Sequence, residues 1–311
     1  SAMLHDDKGG RSVNLTPSET PSDIYTVVLE KTRELIKQDI SREDCEETVK
    51  LIGQVWLTGD NLNRKVVKRP VMTTPYGVSS YGIRDQLREF VPAGDFAVRK
   101  YEFMRYLESH LQTAINETVT ASKEVKEYLQ DLAKDYCNTT HSAVSWEVPL
   151  TGFTAIQRYY KQNLQRVDVF QGSQRIRFQL NFEDVSGVET GKQVSGVSPN
   201  FIHSLDAAML MQTVLKAKAQ GINSLALIHD SYGTHAADTE KLARLLREAF
   251  IDLYSSCGGD VLGDFRNQLQ EAADKWALES LKDDYSLVLP EPPQRGTLCI
   301  YDVMESLYFF S

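Results

Sequence analysis

"SLALIHDSYGT", residues 224–234, sets four apolar positions, Leu225 to Ile228, directly before His229 and Asp230, then turns polar through Ser231 and Gly233. A short apolar run ended by a glycine-containing stretch predicts a buried strand. "THAA" at 234–237 predicts its returning partner, so the whole reads as a hairpin. Aspartate has poor strand propensity and a heavy desolvation cost, so at the end of such a strand it needs water, a hydrogen bond or a cation to meet it. A local turn hydrogen bond answers that need. So does a hard divalent cation presented with a carboxylate on a rigid support, and the hairpin alone leaves both open.

The 311 residues are 41% hydrophobic and 25% charged, an ordinary globular composition long enough for a large core and two lobes. No apolar run approaches the ~20 residues that span a bilayer, and "SAMLHDDKGG" lacks the charged-then-apolar pattern of a signal peptide. Cys45, Cys137, Cys257 and Cys299 lie far apart in no paired spacing with histidines, which argues against zinc and for a reducing compartment. A formal net charge of −9 opposes attraction of the whole surface to nucleic acid. Any such binding needs a local basic patch.

Along the chain, "LTPSETPSDIYTVVLEKTRELIKQD" predicts a helix capped at Thr20, with Pro21 in its first turn, Asp23 near its positive end, and Ile24, Val27, Val28 and Leu35 as the buried stripe. Cys45, Val49, Ile52 and Trp56 recur at helical spacing before Gly59. Residues 84–136 read as helical, broken near "VPAGD", and "CNTTHSAVSWEVPLTGF" as turn and strand. Alternation around "QGSQ" predicts a second hairpin near 166–185, and the glycine and serine of "VSGVETGKQVSG" predict a mobile connection. A helix capped near Ser198 to Asn200 then runs to Gly221. After the opening hairpin, Leu242, Leu245, Leu246, Ala249 and Leu253 mark one face of another helix, and a further helix spans about 262–281. The aromatic tail "MESLYFFS" should dock back on the body.

The basic patch is "RKVVKRPVMTTPYG", residues 64–77, where Arg64, Lys65, Lys68 and Arg69 occur with no acid among them. In helical geometry Arg64, Lys68, Met72 and Tyr76 follow by fours, a ridge of two cations, a thioether and a ring. Such a ridge suits phosphates at one end and a base and sugar at the other. A solvated basic helix end is the plainer alternative, although cations at a helix start oppose its dipole and so invite an anion.

Arg64, three residues, Lys68, seven residues, Tyr76-Gly77: this spacing resembles the nucleotide-binding fingers helix of the single-subunit polymerase superfamily. "HDS" in a strand-turn-strand looks like its palm carboxylate motif. "SAML", "GGRSVNLTPSET", "VMTTPYG", "SPNFIHSLDAAML", "ALIHDSYGT" and the aromatic C-terminus resemble the bacteriophage-type, mitochondrial-like DNA-directed RNA polymerases from the first residue almost to the last.

The resemblance implies an α+β, mainly α-helical fold: the fingers and palm portion of the right-hand polymerase, with a small antiparallel palm hairpin. It divides the chain into a palm strip at 1–19, fingers at 20–203, and palm and tail at 204–311. It also implies that Asp230 is one of two carboxylates binding catalytic Mg²⁺, two ions in the intact parent. Lys68 would neutralise the triphosphate and assist the leaving pyrophosphate, with Arg64 as a further phosphate contact. Tyr76, with Gly77, would sit by the ribose and favour ribonucleotides, and His203 would reach the nucleotide or the nascent base pair. The hairpin at 166–185 lies where phage members carry a promoter-reading loop, so Arg175, Arg177 and Gln179 are candidates for base edges and Arg69 for a DNA contact. The implied partners are DNA template and promoter, nascent RNA and ribonucleoside triphosphates, with no membrane, and the implied location is the cytoplasm of a phage's host.

Two departures qualify this. The family's other metal-binding aspartate lies just upstream of the "SAML" segment, where this chain has not yet begun. Two-metal phosphoryl transfer needs carboxylates for both cations about 4 Å apart. The expectation is therefore a fragment of a larger nucleotidyltransferase, inactive by itself. The other departure is Pro70 with Pro75. Pro70 fits a regular helix beginning near Arg69, whereas Pro75 should kink the last turn before Tyr76. A related DNA polymerase is the nearest alternative, although there His-Asp is normally followed by Glu and Ser231 stands here. A noncatalytic nucleic-acid-binding module is the alternative of another class.

Overall fold

Asp23 starts the first long helix. Its Oδ1 accepts from the Tyr25 amide at 3.2 Å, so the cap falls three residues after Thr20 and Pro21 stays outside the helix. A computed structural model describes residues 1–92, 99–281 and 285–309, the side chains at 183–186 and 257 excepted. Ala93, Gly94 and Asp95 of the expected break therefore lie outside the described residues. The chain divides into two units, Ser1–Lys126 with Pro293–Ser311, and Glu127–Pro292.

The first unit is helical: α1 (Asp7–Ser12), α2 (Ile24–Ile40), α3 (Glu47–Leu57), α4 (Arg64–Thr73), α5 (Ser80–Leu87), α6 (Lys100–Thr118) and the start of α7 (Thr120–Thr140). Helix α2 is its centre and packs on α3, α4 and α6. Its buried stripe is Val28, Leu29, Thr32 and Ile36. Ile24 and Leu35 are only partly buried, and Val27, expected inside, faces solvent. Ile52 and Trp56 of α3 are buried as expected, with the Trp56 indole donating to the Phe103 carbonyl at 3.2 Å. Cys45 precedes that helix.

The C-terminal segment docks on the start of the chain. Gly296 N donates to Leu4 O at 2.7 Å, Ser306 Oγ to Asn14 O at 2.7 Å and Tyr308 OH to Glu19 O at 3.1 Å. A Cβ at Gly296 would lie 2.4 Å from the His5 carbonyl oxygen, so only glycine allows the two segments to run so close.

Among its described residues the second unit holds three two-stranded antiparallel sheets and three further α-helices. The sheets are β1 (Ser145–Val148) with β2 (Phe153–Ile156), β3 (Tyr160–Gln171) with β4 (Gln174–Val188), and β5 (Leu225–Ile228) with β6 (Ser231–Thr234). The helices are α8 (Thr190–Ala219), α9 (Thr239–Ser255) and α10 (Val261–Glu279). Trp146, Phe201 and Phe265 meet at centroid separations of 4.8–6.0 Å and tie β1, α8 and α10 into one core. Leu242, Leu245, Leu246, Ala249 and Leu253 of α9 are buried as their spacing predicts.

Several boundaries differ from expectation. Cys137 to Thr140 still belong to α7, and only Ser145 onward is strand. The expected mobile connection is the end of β4 followed at once by α8, which begins at Thr190 and runs through Pro199 instead of being capped near it. Burial explains this: Gln193, Val197 and Ser198 are inside, so packing outweighs the glycine and proline content. The return strand of the 224–234 hairpin is Ser231–Thr234, while 236–238 is a 3-10 turn, so "THAA" is not that strand. Nor is β5 buried, since its residues alternate between half-buried and exposed.

The β3–β4 hairpin is longer than 166–185 and is exposed along nearly all of β3. Directly opposed residues share a face. One face therefore carries Val167, Val169, Ile176, Phe178 and Leu180 with Gln165, and the other carries Arg166, Asp168, Arg175, Arg177 and Gln179 with Leu164 and Phe170.

Candidate functional site

The basic segment begins as a helix because Asn63 caps it, its Oδ1 accepting from Lys65 N at 2.9 Å and Val66 N at 3.4 Å. Helix α4 starts at Arg64 and passes through Pro70, earlier than the start near Arg69 that would place this proline in a first turn. Pro70 is buried beside Val66, Val67 and Val71. The helix stops at Thr73, before Pro75. Thr74 N and Oγ1 both donate to Pro70 O, at 3.0 and 2.8 Å, and Gly77 takes φ +82°. Pro75 thus kinks no helix. Tyr76 stands in the turn that follows, exposed and three residues beyond the end of the helix that carries Arg64, Lys68 and Met72.

Arg64 is held bidentately by Asp23, Nε to Oδ2 at 2.6 Å and Nη2 to Oδ1 at 3.2 Å, and its guanidinium lies 4.9 Å from the Tyr25 ring centroid. The Arg64 hydrogen bond, opposed by some burial, holds the Asp23 carboxyl below its ordinary range. The Lys68 ammonium lies 5.9 Å from the same ring. Among the described residues no carboxylate is within 4.0 Å of it, and it is exposed, as is Arg69 one residue on.

In the second unit, His229 and Asp230 form the two-residue turn between Ile228 and Ser231, with His229 at φ +52°, a conformation that non-glycine residues adopt at a cost. Asp230 is exposed, and among the described residues none donates it a hydrogen bond. The answer to its strand-end position is therefore open water and room for a ligand, not a local turn bond.

Helix α8 carries a second carboxylate, Asp206, whose charge is coupled to that of Asp230. Asp206 lies one turn after His203 on the same helical face. It keeps surface in water, yet the crowding atoms push its carboxyl above the ordinary range; His203 opposes this and the Asp230 charge adds to it. Tyr232 is raised by burial and then by the same two carboxylates. His203, Asp206, Asp230 and Tyr232 thus form one electrostatic neighbourhood. The sequence reading named His203 and Asp230 but missed Asp206, whose three-residue spacing from His203 was the available signal.

Oxygen donors alone, from one or two carboxylates, suit Mg²⁺, which keeps waters and takes the rest of its shell from substrate phosphates. The Asp230 carboxylate, exposed on its turn, fits that chemistry. Among the described residues there is no group of three or more His, Cys, Asp or Glu side chains that would form a closed metal cage.

Arg175, Arg177 and Gln179 share the polar face of the β3–β4 hairpin with Arg166. Asp168 takes hydrogen bonds from both Arg175 and Arg177, the latter at 2.9 Å, and its carboxyl is thereby held low. Among the described residues no helix is long and apolar enough to cross a membrane.

The family model described as DNA-dependent RNA polymerase matches residues 1–287. The DNA-directed RNA polymerase of Enterobacteria phage T3 and the T7 RNA polymerase of Escherichia phage T7 are each 34% identical over 349 residues, covering 100% of this chain and 38% of theirs. The DNA-directed RNA polymerase 2A of Nicotiana tabacum is 32% identical over 315 residues, covering 100% of this chain and 87% of that protein. The chain thus spans 38% of the length of the phage relatives. With a family match across most of its residues, on an α+β, mainly helical scaffold with small antiparallel hairpins, the chain belongs to the single-subunit, phage-like DNA-directed RNA polymerases, a family of nucleotidyltransferases.

Proposed function

We propose that this chain supplies the nucleotide-binding residues and one metal-binding carboxylate of an enzyme that joins ribonucleoside triphosphates on a DNA template. In that reaction the 3′-hydroxyl of the growing RNA attacks the α-phosphorus, and pyrophosphate leaves. Lys68 and Arg64 bind the triphosphate and offset charge on the departing phosphates. Tyr76, beside Gly77, meets the ribose, and His203 meets the nucleotide or the new base pair. Asp230 would hold Mg²⁺; of the two ions of the intact enzyme, when bound, one would lower the pKa of the attacking hydroxyl and the other would steady the leaving oxygen. Residues 1–19 and 204–311 serve as palm and 20–203 as fingers. Arg175, Arg177 and Gln179 read promoter bases, and Arg69 touches the DNA backbone.

The observation that carries this reading is the exposed Lys68 ammonium on α4, without an acid against it among the described residues, in a chain of this family. Water would satisfy that ammonium too; its place on the basic helix of a chain in this family is what points it toward a triphosphate. Titration of the chain with a fluorescent ribonucleoside triphosphate tests it. Lys68→Met should weaken binding about tenfold or more, the scale of one charge-assisted contact, and Asp230→Asn should remove the Mg²⁺ dependence. Binding that ignores both substitutions would overturn the proposal.

A further inference from the structure

Beside His203 the second unit carries a groove of about 620 Å³, bounded by the β1–β2 hairpin, the connection Gln157–Tyr159 that follows it and the face of α8 carrying Asn200 and Ser204. We propose that this groove seats an unpaired nucleobase of a single nucleic-acid strand, with Phe153 as the stacking surface and Arg158 as the contact for the strand's phosphate. The polymer class rests on the function proposed above; the groove itself rests on its own geometry.

Four observations converge. The volume lies in the range that holds one nucleotide-sized ligand (~300–1,000 Å³). Phe153 is 63% exposed, although it stands on the same hairpin face as the buried Trp146, so its ring overhangs the groove instead of entering the core.

The lining is also selective in charge. The chain has 43 acids against 34 lysines and arginines, yet among the described residues no acid lines this groove, while Arg158 and His203 do. That complements a polyanion.

Finally, the walls are fixed in advance. Trp146 Nε1 donates to Ser204 Oγ at 3.0 Å with its ring against Phe201 and Phe265. Asn200 Nδ2 donates to Gln157 Oε1 at 2.8 Å and to Tyr159 OH at 3.2 Å. Gln157 is in turn locked by the fully buried Gln193. A rigid aromatic shelf with polar groups at its edge recognises a base face and its hydrogen-bonding edge at low ordering cost.

The test uses the 311-residue chain with single-stranded DNA and RNA of about twelve nucleotides, within the usual span of ~4–16 per strand-binding site. Each strand carries one photoreactive 5-iodouracil. Irradiation should attach it to Trp146, Phe153 or Tyr159, located by peptide mass spectrometry. Phe153→Ala should weaken binding about tenfold or more, the loss expected for one base–aromatic stack. Arg158→Ala should weaken binding and flatten its salt dependence. Both side chains are exposed, so the fold, checked by circular dichroism, should persist. Attachment by either polymer supports the site, and the tighter one identifies the strand.

Absence of binding, adducts only outside residues 146–204, or variants that bind like the parent would overturn it. Loss of the groove with Lys68-dependent triphosphate binding intact removes this inference alone. The converse result removes the proposed nucleotide site and leaves the groove.

Discussion

Arg64 Nε lies 2.6 Å from Asp23 Oδ2, so the outer cation of the basic helix is held by the same aspartate that caps α2. A phosphate arriving at Arg64 must therefore displace or share a carboxylate. Asp23→Asn keeps the cap and removes the charge, and triphosphate affinity should rise severalfold in nucleotide titrations. Asp23→Ala removes both and should cost about 1 kcal/mol of stability in urea unfolding, the usual value of a lost cap. The pair itself is partly exposed and screened, so its own contribution is small. The sign with pH follows from the lowered folded value: Asp23 stabilises the fold above the ordinary carboxylate range near 3.8, and that stability is lost as pH falls through the lower folded value. The difference between Asp23 and its Asn variant should vanish at the acid end.

Tyr76→Phe should leave the fold intact, because the ring stands in an exposed turn after α4, and should reduce the preference for ribonucleotides over deoxyribonucleotides. Competition between the two sugars for the chain, or incorporation by a polymerase containing it, measures this. A preference unchanged by removing the hydroxyl would place the sugar elsewhere.

Gln193→Leu should destabilise the second unit by about 2 kcal/mol, because it leaves the buried Val144 amide without an acceptor and takes one hydrogen bond each from Gln157 Nε2 and Gln157 O. Its Oε1 accepts from Val144 N at 3.3 Å and from Gln157 Nε2 at 3.1 Å, and its Nε2 donates to Gln157 O at 2.9 Å. Gly196→Ala should behave similarly, since the new methyl would lie 2.7 Å from Tyr159 Cε2. Chemical denaturation of both variants checks this.

Cys137 should resist alkylation in the native chain at about pH 8 and react only on unfolding, because burial pushes its thiol up to about 12. Cys299, which is exposed, should react freely. Mass-spectrometric mapping after a short iodoacetamide pulse distinguishes them.

Much of this architecture was legible in the residues. The leucines of α9 repeat with the helical period, and "QGSQ" falls at the turn between β3 and β4, with Gly172 at φ +63°. The stripe of α2 is only half legible because apolar content alone does not choose between Val27 and Leu29; the neighbours α3, α4 and α6 do. The first turns of α8 were illegible for another reason. Gly191, Gly196 and Pro199 read as loop, yet Gly196 is what lets Tyr159 approach the helix. At the candidate site the motif residues were visible; Asp206 offered only its three-residue spacing from His203, and nothing in the sequence ties its charge to that of Asp230, which the fold couples to it. The groove around Phe153 carries no motif, being assembled from segments that are ordinary one at a time.

The β3–β4 hairpin is also a lever. Its strand of 12 residues, at ~3.4 Å each, puts the tip roughly 40 Å from the root. By the same geometry a tilt of about 5° at the base swings Gly172 by ~3.5 Å, a base-pair step. Whatever the outer arginines touch is therefore aimed from far below, by Glu189 N clasping the Tyr159 carbonyl at 2.9 Å and by the amide knot of Gln157 and Gln193.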